Sequence, residues 1–317
     1  MDALVFRTLR RHIKTGTLTI TTANGIARTF GDGRGLAVAI RFSSARAQRR
    51  ILLDPELRLG EAFVDGDLIV EQGTITQLLE LLLSQDRTGA PRIATKMLSG
   101  LRFVLRRLAQ KNDRTRSRRN VAHHYDLSGK LYKLFLDSDM QYSCAYFENA
   151  DMSLEEAQQA KKRHIAAKLR AHQNSRVLDI GCGWGGLALY LADTFNARVT
   201  GITLSAEQLE FAKARAAAAS DPGRLDFRSQ DYRDVTERFD RIVSVGMFEH
   251  VGVNHYDAFF RKCRDLLDED GVLVLHSIGR SDPPGYTNPW IAKYIFPGGY
   301  IPALSEVLPA IERAGLV

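Results

Sequence analysis

The sequence predicts a two-domain chain, a doubly wound α/β domain preceded by a small α+β domain, and three observations lead there. From Arg176 onward, apolar runs of strand length alternate with helical stretches, the pattern of a parallel sheet covered on both faces. Before that, short alternating strands give way to Leu-rich helical segments. A length of 317 residues is too great for one small core and suits two of ordinary size. The domains are expected at 1–115 and 116–317.

In the first domain, LTITT and GLAVAIRF alternate as strands do, and Asn24-Gly25 and the Gly-rich GDGRG supply turns between them. TITQLLELLLSQD carries a helix start at Thr74 or Thr76. From Pro91 to Asn120 the chain is dense in Arg and Lys, with Ile93, Met97, Leu101, Val104 and Leu108 at helical spacing. That describes a basic amphipathic helix, which either lies on anionic lipid or packs against a domain with its polar face in solvent. KNDRTRSRRN after it has no apolar period and reads as an exposed linker.

In the second domain the order is RVLDIGCG, GLALYLADTF, ARVTGITLS, AEQLEFAKARAAAA, RLDFRSQD, FDRIVSVG, DAFFRKCRDLLDEDG and VLVLHSIG, strands and helices in turn. A further helix is expected in PALSEVLPAIERAGLV.

No run of about eighteen apolar residues is present to span a bilayer, and Met1 to Thr21 mixes Arg, Lys and His with short apolar pairs unlike a signal peptide. The cytoplasm is therefore the expected address. Cys144, Cys182 and Cys263 are too few and too scattered for a disulfide framework or a paired-ligand zinc site. No metal is expected, because His123-His124, Glu249-His250 and His255 do not form the spacing of zinc hydrolases. The formal charge of +7 favours an anionic partner, either nucleic acid or a membrane surface.

Asp179-Ile-Gly181-Cys-Gly183-Trp-Gly185-Gly186 follows a strand and opens a helix, the turn at which doubly wound folds bring a nucleotide against backbone. Its glycines also satisfy a dinucleotide-binding spacing. Two features favour S-adenosylmethionine instead. Asp179 would repel a pyrophosphate and attract an ammonium group. The end of the next strand, Thr203-Leu204-Ser205, lacks the carboxylate that dinucleotide enzymes use for ribose, leaving Gln208 for that task. Asp231 and Tyr232 follow the third strand, where the Asp would accept from the adenine amino group and the ring would stack.

The segment VAHHYDLSGKLYKLFLDSDMQYSCAYFENADMSLEEAQQAKK resembles that of cyclopropane fatty acid synthases and mycolic acid methyltransferases, and the likeness continues through VLDIGCGWGG, GITLSAEQ, VSVGMFEHVG and VLVLHSIG. DPELRLGEAFVDGDL resembles the N-terminal part of bacterial synthases. This resemblance implies a Rossmann-like class I methyltransferase domain and a cofactor site of Tyr142, Ser143, Gly181, Gly183, Thr203, Leu204, Gln208, Asp231 and Tyr232, besides Asp179. It implies bicarbonate held by Cys144, Glu249, His276 and the backbone of Ile278, serving as the base that lets a methylated alkene close to a ring. It also implies unsaturated phospholipid acyl chains as substrate and a homodimer, and with the basic charge of the chain the expectation is peripheral attachment to anionic phospholipid at the inner membrane face, the cationic segment Arg102 to Arg119 in contact. Relatives continue beyond the position of Val317, so the methyltransferase domain is expected to be C-terminally incomplete, without the tyrosine that completes their bicarbonate site.

Alkene methylation without ring closure, amine methylation on the same scaffold, and a non-catalytic lipid-binding protein are the rivals. Nucleic-acid methylation is not expected, since no recognition module and no base-methylation signature is present.

Overall fold

The computed structural model describes residues 2–85, 93–110 and 129–316. The chain divides into two units: Met1–Leu105 with Asn288–Ile295, and Arg106–Thr287 with Phe296–Val317. The boundary expected at 115/116 falls among residues outside those described, as do the basic linker of 111–120 and His123-His124.

In the first unit, β1 (Thr17–Thr21) lies between β2 (Ala27–Gly31), antiparallel to it, and β3 (Ala37–Phe42), parallel to it, with β4 (Leu68–Gln72) antiparallel at the far edge. Alternation does the sorting, since Leu18 and Ile20 of β1 and Val38, Ile40 and Phe42 of β3 all turn to one core. β2 and β4 were not singled out in the sequence. β2 buries Phe30 alone and β4 buries Leu68 alone, so neither shows a full alternating face. The helix Ile75–Leu83 starts at Thr74, whose side chain and that of Gln77 cap each other's backbone N–H, and it buries Leu78 and Leu81.

The second unit holds five parallel strands, β5 (Arg176–Ile180), β6 (Arg198–Thr203), β7 (Leu225–Ser229), β8 (Phe239–Val245) and β9 (Leu267–His276), in the order β7-β6-β5-β8-β9. Successive residues of β5 feed opposite cores. Val177 joins Ile165, Leu191 and Phe227 on one face, and Leu178 joins Ile242, Phe259 and Phe260 on the other. β9 begins at Leu267, inside the stretch expected to continue a helix, because Leu267 already pairs with Phe239 ahead of the register shift that carries Arg241 opposite Val272.

The chain steps outward from β5 to β7 and then returns to the other side of β5 with β8. This switch leaves a crevice at the carboxyl ends of β5 and β8, where open α/β sheets bind ligands.

Candidate active site

A cavity of about 170 Å³ opens at that crevice. All ten residues named for the cofactor line it: Tyr142, Ser143, Asp179, Gly181, Gly183, Thr203, Leu204, Gln208, Asp231 and Tyr232. The glycine loop makes room in two ways. Gly181 takes φ 85°, a left-handed conformation, and a Cβ there would lie 2.9 Å from the Met247 Cβ. Gly186 begins the helix Gly186–Phe195, and a Cβ there would stand 2.3 Å from the Gln141 amide nitrogen.

At the end of β6, the Thr203 hydroxyl donates to Gln208 Oε1 at 3.1 Å and accepts from the Ser205 N–H at 3.2 Å. The amide N–H groups of Gln208 are then what that residue offers a ribose. At the end of β7, Asp231 receives Arg233 through Nε at 2.8 Å and Nη2 at 2.5 Å. Arg233, which lines the cavity, was not foreseen. Asp231 Oδ1 also accepts the Arg233 backbone N–H at 3.0 Å. The Tyr232 ring meets Phe259 edge-on, with centroids 5.3 Å apart.

Asp179 is buried, and that burial raises its carboxyl to about 7. A cationic ligand is the natural relief for such a group, because opposite charge favours the ionised form that burial disfavours. The amino-acid end of S-adenosylmethionine, with its ammonium, fits it.

The four residues expected to hold the base border the cavity without being part of its lining. Glu249 follows Met247 and Phe248 in a helical turn, and its Oε1 accepts the Ile278 N–H at 2.7 Å. Glu249 Oε2 is buried without a hydrogen-bond partner, and so is Nδ1 of His276. His276 lies opposite Val245, a cavity residue, in the β8–β9 ladder. Burial depresses the His276 pKa first, and the nearby Lys161 and Lys168 depress it further, all favouring the uncharged ring. Cys144 is exposed, next to Ser143. Orphaned buried polar atoms are uncommon and mark places where a small polar species is bound. Glu249 Oε2 and His276 Nδ1 are two such atoms, and His276 stands two residues before Ile278, whose N–H is bound by Glu249 Oε1.

Besides Arg233, two buried residues that shape the site were absent from the sequence-based set. Lys161 and Gln158, both buried on the helix Leu154–Leu169, reach the loop that carries Tyr142 and Ser143. A signal existed, since Lys161 shares a helical face with the buried Ala157 and Ile165. A lysine on an apolar stripe asks for a reason.

Of the expected lipid-contact segment, residues 102–110 are described. Arg102 is committed within the first unit, to Asp54 at 2.7 Å and Glu56 at 2.9 Å, and so is not free for head groups. The helix Ile93–Ala109 exposes Arg107 together with a row of apolar side chains: Met97, Leu101, Val104 and Leu108 are all more than half exposed. Among the described residues, no helix is long and apolar enough to cross a membrane.

Residues 112–317 match the family described as mycolic acid cyclopropane synthetase, and residues 5–90 match a domain of unknown function. The chain is 39% identical over 275 residues to a cyclopropane-fatty-acyl-phospholipid synthase of Escherichia coli (strain K12), spanning 86% of this chain and 69% of that one. The cyclopropane synthase MmaA2 from Mycobacterium tuberculosis superposes with a TM-score of 0.60 at 35% identity, covering 64% of this chain and 76% of its own. The mycolic acid cyclopropane synthase CmaA1 in complex with SAH and CTAB gives 0.58 at 36% identity, covering 62% and 74%.

Proposed function

The chain belongs to the mycolic acid cyclopropane synthetase family, whose members here are S-adenosylmethionine-dependent enzymes, and from that we propose that it adds a methylene to the cis double bond of unsaturated phospholipid acyl chains, with bicarbonate as the base. The observation that carries this reading is the pairing of Glu249 with the Ile278 N–H beside the unpartnered Glu249 Oε2 and His276 Nδ1.

An isolated alkene is a weak nucleophile and needs an aligned, dry approach to the sulfonium methyl. The glycine loop, Asp179 and Gln208 would hold the cofactor in the cavity. Attack leaves a positive charge on the substrate, and a proton must then leave the new methyl for the ring to close. Bicarbonate, bound there, would supply the base. Glu249 would hold the Ile278 backbone in place, and neutral His276 would offer a ring nitrogen to the same site. The apolar face of the helix Ile93–Ala109 would bring the chain to the lipid surface, at the inner face of the membrane, where the net charge of +7 favours anionic head groups.

The test incubates purified protein with S-adenosylmethionine, bicarbonate and vesicles of unsaturated anionic phospholipid, and reads the acyl chains by gas chromatography and mass spectrometry. A cyclopropane chain is expected. A methyl-branched or methylene-bearing chain would instead assign alkene methylation without ring closure.

A further inference from the structure

A buried ammonium group is costly unless something answers its charge. Lys161 is 3% exposed, and its Nζ donates to Ser143 Oγ at 2.6 Å, a neutral partner. The nearby acids Asp137 and Asp139 favour its charge through space but make their hydrogen bonds to other groups. Asp139 is paired with Lys162 at 2.6 Å and with Arg215, and Asp137 accepts the Gln141 N–H at 2.7 Å.

The direction of the Lys161–Ser143 bond has a consequence in the cavity. An ammonium has no lone pair, so the Ser143 oxygen must accept, and the hydroxyl proton is left to be donated elsewhere. Ser143 lines the cavity. Three residues before Lys161 on the same helix, Gln158 donates to the backbone carbonyls of Gln141 at 3.2 Å and Ser143 at 3.0 Å, which fixes the loop. Helix and loop together present one oriented O–H with a positive charge directly behind it.

The cofactor's amino-acid end carries an ammonium and a carboxylate. Asp179 suits the first and would repel the second. Arg233, a cavity-lining cation, is tied to Asp231 at the end of β7. We propose that Lys161, acting through the Ser143 hydroxyl, is the positioning residue for the carboxylate of the S-adenosylmethionine amino-acid end. Asp179 and the Lys161–Ser143 pair then form a matched dipole that selects a zwitterion. The proposal rests on the cofactor assignment above.

The test compares two ligands on the full chain by calorimetry: S-adenosylhomocysteine, and 5′-deoxy-5′-methylthioadenosine, which keeps the adenosine and sulfur but has no amino acid. Losing a charge-backed hydrogen bond typically costs tenfold or more in affinity. Lys161→Met is expected to weaken S-adenosylhomocysteine at least about tenfold and leave methylthioadenosine within about twofold, while Lys161→Arg, which keeps the charge, retains more of the selectivity. An unchanged ratio between the two ligands in Lys161→Met, on protein with native near-ultraviolet circular dichroism, overturns the proposal. If that variant lacks native dichroism, Ser143→Ala decides: a lowered ratio is expected, and an unchanged one overturns the proposal. Failure of the unaltered chain to bind either ligand would strike the cofactor assignment instead, which keeps the two readings separable.

Discussion

Glu249 Oε1, in the turn after β8, accepts the backbone N–H of Ile278, just after β9, at 2.7 Å, while its second oxygen, Oε2, is buried and unpartnered. One carboxylate thus fixes the chain after His276 and keeps an acceptor in reserve. Glu249→Gln preserves the shape and the bond to Ile278 through its amide oxygen, but replaces the reserve acceptor with a donor and removes the charge. Turnover to cyclopropane product is expected to fall about a hundredfold or more, with S-adenosylhomocysteine affinity within about twofold by calorimetry. A variant that keeps full turnover would remove Glu249 from the chemistry. Burial raises the Glu249 pKa, so any activity that needs its anion should switch on at a higher pH than an ordinary glutamate would allow.

Asp179 sets a second pH dependence, of known sign. Burial lifts its carboxyl to about 7, so below that pH the ligand-free chain holds it protonated. A cofactor ammonium favours the carboxylate. Affinity should therefore fall as pH drops below about 7, by up to about tenfold per unit, with proton release on binding visible as a buffer-dependent heat. Asp179→Asn should flatten the profile and bind weakly throughout. The stability effect runs the other way. A folded-state pKa above the unfolded value means stability present at low pH and lost as pH rises through about 7. At pH 8 the ligand-free Asn variant should accordingly melt higher than the parent chain.

The second unit was legible because its signals are local. Gly181 and Gly186 are needed where the backbone meets Met247 and Gln141, and Val177 and Leu178 declare a strand buried on both faces. Residues matched by motif, such as Asp179 and Gln208, fell on the cavity because a strand end fixes its own next residue in space. Long-range partners were not legible. That Asn288–Ile295 groups with the first 105 residues follows from Lys293 and Tyr294 finding Glu61, and from the Trp290 ring filling the space beside Gly60. No periodicity encodes those pairs. Lys161 and Arg233 escaped for a related reason, since a cation's role depends on which acids around it are already taken.

Glu61 gives a stability prediction within the first unit. Burial alone would raise its carboxyl, but hydrogen bonds from Lys293 at 2.7 Å, from Arg58 and from Tyr294 at 2.8 Å outweigh that and bring it down to about 2. Arg50 adds a further contact at 3.1 Å. Glu61→Gln leaves these cations facing a neutral amide and should cost on the order of 3 kcal/mol. Because the folded pKa is depressed, the parent chain's advantage should be full above about 4.5 and shrink as pH falls toward 2. Thermal melts from pH 7 down to about pH 2.5 check the sign, and a gap that widens on acidification would contradict it.

The exposed face of the helix Ile93–Ala109 gives the membrane proposal its own test. Met97, Leu101, Val104 and Leu108 recur at intervals of four, three and four, so they share one side, and Val104 and Leu108 are 72% and 67% exposed. Side chains so open contribute little to folding, and changing them should move stability by no more than about 0.5 kcal/mol. Inserted into a lipid interface, each would contribute roughly 1–2 kcal/mol. Val104→Asp with Leu108→Asp should therefore reduce flotation with phosphatidylglycerol vesicles at least about tenfold, while S-adenosylhomocysteine binding and the melting temperature stay near those of the parent. Activity on vesicles should fall in parallel with flotation, and activity on detergent-dispersed lipid should not. Equal flotation of variant and parent would move the lipid contact away from this helix.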